Sequence, residues 1–115
     1  MVTMAVPVES PNGMRSNLSD HFGMASDFAL FDYDGGRFTG LRFVQNDTTK
    51  RDAPSNAQFL ADCGAQVVLA GSIGPHMLAV LFEKGVRVFD GAVGTLEDVI
   101  EDYKAGMLTE VRSTG

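Results

Sequence analysis

The sequence predicts an α/β fold, a three-layer α/β/α sandwich around a mixed, mostly parallel five-stranded sheet. Short apolar runs alternate with amphipathic helical segments through the second half of the chain, and strand–helix–strand units with short connections imply parallel neighbours. Two β-prone runs flank Asp34-Gly35-Gly36, which adds an antiparallel hairpin and makes the sheet mixed. At 115 residues the chain is one domain, 1–115, large enough for a modest core without disulfides.

The first strand is read from Val2, Met4, Val6 and Val8, which alternate with smaller or polar residues, and Pro7 limits it near its end. Residues 9–27 hold turn formers and no sustained period, so a long loop is expected. FALFDY (28–33) and RFTGLRFV (37–44) are the hairpin strands, and 46–52 is a polar loop. Pro54 and Ser55 open a first helix whose apolar face carries Phe59, Leu60 and Cys63, with Gly64 as its stop. Gln66 to Ala70 lacks alternation, as expected of a central strand covered on both faces. Pro75 to Lys84 is a second helix closed by Gly85, and Val86, Val88 and Phe89 mark the next strand. Thr95 starts the third helix, where Thr95-Leu96-Glu97-Asp98 resembles a capping box with Asp in place of Glu. Its apolar stripe is Leu96, Val99, Ile100 and Tyr103, and Gly106 ends it.

Composition narrows the function. The charged fraction of 21% and hydrophobic fraction of 44% are ordinary for a globular protein, and the formal charge of −6 opposes nucleic acid. One cysteine, Cys63, excludes an internal disulfide and is read as a core residue. No basic-then-apolar leader and no long apolar span is visible, so a soluble cytoplasmic protein is expected.

Ligands of open parallel sheets collect beyond the carboxyl ends of the strands. Three glycine-bearing loops should meet there: 9–27, Gly71–Gly74 and Asp90–Gly94. The middle one, AGSIGP, feeds a helix start, where free N–H groups and the positive end of the helix dipole favour an anion. It is neither a Walker loop nor a dinucleotide fingerprint. Packing alone would account for Gly71 and Pro75, the latter at the first helical position where its missing N–H costs little. His21 and His76, the two histidines, both fall in or beside these loops and could donate to an anion or ligate a metal. No Ser/His/Asp grouping or carboxylate pair suited to acid–base chemistry stands out.

SDHFGMASDFALFD (19–32), AGSIGP (70–75) and GVRVFDGAVGTLEDVIEDYKAGML (85–108) together resemble the dinitrogenase iron–molybdenum cofactor biosynthesis domain over nearly the whole chain, in order. The resemblance implies a ribonuclease H-like α/β topology. It also implies a non-enzymatic carrier that transiently holds iron–molybdenum cofactor or a molybdenum–sulfur cluster, with metallocofactor or cluster-assembly proteins as partners. Matched by position, His21, Phe22 and Gly23 form the first cofactor-binding turn. Gly71, Ser72, Ile73, Gly74 and Pro75 match the second; for a carrier, the amides of residues 71–76 would cradle the anion, and His21 and His76 would contact metal or sulfide. Met24 stands where the family often has Arg, and Ser72 where Gly is common. The segment KRDAPSNA lacks the histidines that some members carry, and the tail MLTEVRSTG lacks their Cys and His.

Two functions are carried forward: a cluster carrier, or a protein-interaction module holding no small ligand. A ribonuclease H-like nuclease is disfavoured, because its metal ions need carboxylates and the first strand has none before Glu9.

Overall fold

The computed structural model describes residues 1–20, 22, 25, 27–46 and 53–112. Its elements are β1 (Val2–Val8), β2 (Asp27–Asp34), β3 (Arg37–Gln45), α1 (Ala53–Asp62), β4 (Val67–Leu69), α2 (Pro75–Glu83), β5 (Arg87–Asp90), α3 (Leu96–Lys104) and β6 (Thr109–Val111). They form a six-stranded sheet in the order β3-β2-β1-β4-β5-β6.

That count corrects the expectation of a mostly parallel five-stranded sheet. β6 is the addition: a three-residue Thr-Glu-Val strand pairing antiparallel with β5. It is too short to show alternation, and its pairing partner is distant in sequence. Only β1–β4 and β4–β5 are parallel, while β1–β2, β2–β3 and β5–β6 are antiparallel.

The hairpin has the expected turn. Asp34 pairs with Arg37 across Gly35 and Gly36, whose φ values of +57° and +88° suit a two-residue connection that only glycine adopts freely. Pro7 lies inside β1, which has neighbours on both sides. It is tolerated because β4 pairs only as far as Ala5. A strand residue's N–H and C=O point the same way, and the Pro7 carbonyl accepts from the Ser19 amide at 2.9 Å. The missing N–H therefore faces the loop, and no sheet bond is lost.

Alternation in β1 and its neighbours sorts two cores. Ala5, Phe28, Leu30, Val68, Ala70 and Val88 cluster with Ala57, Leu60, Met77 and Leu81 of α1 and α2. Met4, Val6, Val8, Ala29, Phe31, Val67 and Leu69 cluster with Leu96, Val99 and Ile100 of α3. This is the three-layer arrangement, with two helices over one face and one over the other. Leu60, Leu81 and Leu96 are fully buried, each stabilising by roughly 1.5–3 kcal/mol. Tyr103, the last residue of the predicted α3 stripe, meets Tyr33 and Phe89 edge-on at 5.3 and 5.2 Å.

Among the described residues, no helix is long and apolar enough to cross a membrane.

Candidate functional site

The parallel register of β1, β4 and β5 sets their carboxyl ends on one rim, and the three glycine-bearing loops do meet there. The Leu18 amide donates to the Gly94 carbonyl at 3.0 Å, and the Gly91 amide donates to the Gly71 carbonyl at 3.2 Å. Gly71 is where two of these loop backbones press together: a Cβ there would stand 3.0 Å from Ala92 O and 3.3 Å from Leu18 Cδ2.

Two helices begin on this rim, and their ends differ in kind. At α3, Thr95 accepts from the Asp98 amide, and Asp98 Oδ2 accepts from the Thr95 amide at 3.0 Å, completing the capping box. The Leu96 and Glu97 amides donate to Ser16 O and Met14 O at 2.8 and 3.0 Å. Glu97 and Asp98 also lay negative charge on the first turn. Every donor of that turn is used, and the helix end is closed to a ligand.

The amino end of α2 is open. Its N-cap is Gly74, which has no side chain to accept, and its first turn carries no acidic residue. Pro75 has no N–H, and the Leu78 amide is used by Gly74 O at 3.1 Å. Among the described residues, nothing accepts from the amides of Ser72, Ile73, Gly74, His76 or Met77. Ser72, Gly74, Pro75 and His76 are exposed, while Ile73 and Met77 pack into the α1/α2 core. Such a turn presents unpaired donors and the positive end of a helix dipole to solvent.

His76 is thus placed on the open turn. His21 and Gly23 lie outside the described residues, as does Met24. Phe22 is 3% exposed, its ring 5.7 Å from that of Phe28, so its side chain serves the core. Cys63 follows α1 just ahead of β4, at the end of the sheet opposite the rim, and packs half-buried against the α1/α2 core. Burial, with the negative charge of Asp62, pushes its thiol up from the ordinary value. A cavity of about 430 Å³ lined in part by Phe82, Arg87 and Glu110 opens at that far end as well. Among the described residues, no three His, Cys, Asp or Glu side chains gather as metal ligands.

Sequence reasoning missed Asn46 and Asn56. Both are buried, at 6% and 0% exposure, and Asn56 reaches the carbonyls of Phe22 and Ala25. The available signal was an asparagine four residues before Leu60, on a helix stripe that is otherwise apolar.

A family model described as "dinitrogenase iron-molybdenum cofactor" matches residues 2–106. An uncharacterised protein of Methanocaldococcus jannaschii is 21% identical over 113 residues, covering 94% of this chain and 90% of its own. The crystal structure of PH0822 superposes with a TM-score of 0.83 at 28% identity, covering 97% of this chain and 98% of that one. The apo form of the orange protein from Desulfovibrio gigas gives 0.84 at 24% identity, over 98% and 95%. At that identity the second likeness is one of fold.

Proposed function

The chain belongs to the dinitrogenase iron–molybdenum cofactor family, and from that premise we propose that it is a small carrier or scaffold in metallocofactor biosynthesis. Its cargo is an anionic iron–molybdenum or molybdenum–sulfur cluster, or a precursor of one, held transiently. The family's tie to iron–molybdenum cofactor supports a carrying or accessory role and not a catalytic one. The strand order β3-β2-β1-β4-β5, with β2 alone reversed among these five, supports a ribonuclease H-like topology extended by β6.

One observation carries the reading: of the two helix ends on the rim, the protein closes α3 with its own acceptors and leaves α2 open. The amides of Ser72, Ile73, Gly74 and His76 would cradle the anion, with Gly71 allowing the loops to close up behind them. His76 would contact sulfide or metal, joined from the first loop by His21 and Gly23, with Phe22 anchoring that loop in the core. An anion at a helix start gains only about 0.3–2 kcal/mol from the dipole. Binding built from such contacts is reversible, as a carrier passing cargo to cluster-assembly proteins requires.

The test is gel filtration of the purified protein with tetrathiomolybdate, followed by its visible absorbance. Co-elution with the wild type and its loss in a His21→Ala/His76→Ala double variant are expected. No co-elution for the wild type would overturn the carrier reading, and equal binding by the double variant would overturn the histidine assignment.

A second reading, a protein-interaction module without a small ligand, draws on Val93, an apolar side chain 66% exposed on the β5–α3 loop. Recovery of a stable partner from a metal-free preparation, with no thiomolybdate binding, would favour it.

A further inference from the structure

Asn56 is fully buried on α1 and joins segments far apart in sequence. Its Nδ2 donates to Phe22 O at 2.9 Å and to Ala25 O at 3.0 Å, so both amide protons are used. Its Oδ1 accepts from Asn46 Nδ2 at 2.7 Å, at the carboxyl end of β3. A side-chain amide can present either end, and the two backbone carbonyls fix which one: they can only accept, so the NH2 of Asn56 faces them and its oxygen is left to accept from Asn46. A second link runs through the core, where the buried Phe22 and Ala25 share a cluster with Met77 in the first turn of α2 and with the half-buried Ile73.

We infer that Asn56, its oxygen held by Asn46, is a positioning residue that clamps the chain at Phe22 and Ala25 against the α1/α2 layer, the layer that also carries the open start of α2. An aliphatic residue at 56 would satisfy the helix and the core equally well, so burying an amide there has a purpose only in the bonds it makes. The consequence for cargo rests on the carrier reading; the clamp itself does not.

Hydrogen exchange at the Ala25 amide, which donates to Phe22 O at 3.2 Å, reads the clamp directly. Two variants test it. Asn56→Ala removes both donations. Asn46→Asp leaves Asn56 in place but sets a carboxylate oxygen against its Oδ1, acceptor against acceptor, which pushes the amide away from the two carbonyls. Each should speed Ala25 exchange about tenfold or more. Val99→Ala, a destabilising change in the opposite core, should leave it as in the wild type. Tetrathiomolybdate affinity should fall about tenfold in both asparagine variants and hold in Val99→Ala.

Unchanged Ala25 exchange in Asn46→Asp overturns the clamp even if Asn56→Ala fails to fold. Wild-type affinity in a variant whose Ala25 exchange is fast overturns the positioning role. Failure of the wild type to bind defeats the carrier reading, and the exchange measurements still decide the clamp.

Discussion

Gly71 and Ala92 approach so closely that a Cβ on the glycine would stand 3.0 Å from the Ala92 carbonyl oxygen. The contact is with backbone that is itself pinned, since the Ala92 amide donates to Ala70 O at 3.1 Å. Gly71→Ala should therefore cost about 1–2 kcal/mol of stability, overpacking outweighing the entropy gained in the unfolded chain. Urea denaturation measures it. A wild-type midpoint would mean that the rim loops yield freely.

Thr95→Ala removes the hydroxyl half of the α3 capping box. It should lower stability by about 1 kcal/mol and leave tetrathiomolybdate binding unchanged, because that helix end is already closed. Loss of binding in this variant would place the cargo at the wrong helix.

Acid sensitivity follows from two carboxylates. Hydrogen bonds from the Thr95 backbone and side chain hold the Asp98 carboxyl below its ordinary range, and the Arg87 guanidinium does the same to Glu110. Both are more acidic folded than unfolded, so their stabilisation is present above the ordinary carboxylate range near pH 4 and disappears as pH falls through the folded values. The urea midpoint should hold between about pH 7 and 5 and decline below about 4. An Asp98→Asn/Glu110→Gln variant should show a shallower decline; an equally steep one would locate the acid sensitivity elsewhere.

Cys63 is predicted to be a bystander. Its raised thiol leaves little thiolate at neutral pH, so iodoacetamide should react more slowly than with free cysteine, and Cys63→Ala should bind tetrathiomolybdate as the wild type does. Fast alkylation blocked by bound thiomolybdate would bring Cys63 into the site.

The legible parts of this chain are those whose cause is local. Asp34-Gly35-Gly36 announces a hairpin because its two glycines supply the φ values that turn needs. Thr95 and Asp98 announce a cap because both partners lie within one helical turn. Convergence of the three loops was legible too, since parallel strands must share a rim. Which helix start remains open was not, because Leu96 and Glu97 are closed by Ser16 and Met14, some 80 residues away in sequence. The same holds for Asn56, whose partners are Phe22, Ala25 and Asn46, and for β6, whose three residues owe their strand to β5. Contacts of this kind leave no period in the sequence.

Gly74→Asp tests the central claim most directly. A Cβ at Gly74 meets nothing within 4 Å, and the backbone at φ −79° accepts any residue. An aspartate there would cap α2, accept from its unpaired amides and place a negative charge where the cargo belongs. The account predicts thermal stability raised by about 0.5–1.5 kcal/mol together with loss of tetrathiomolybdate co-elution. A stabilised Gly74→Asp protein that still binds thiomolybdate as the wild type does would show that the open start of α2 is not the site.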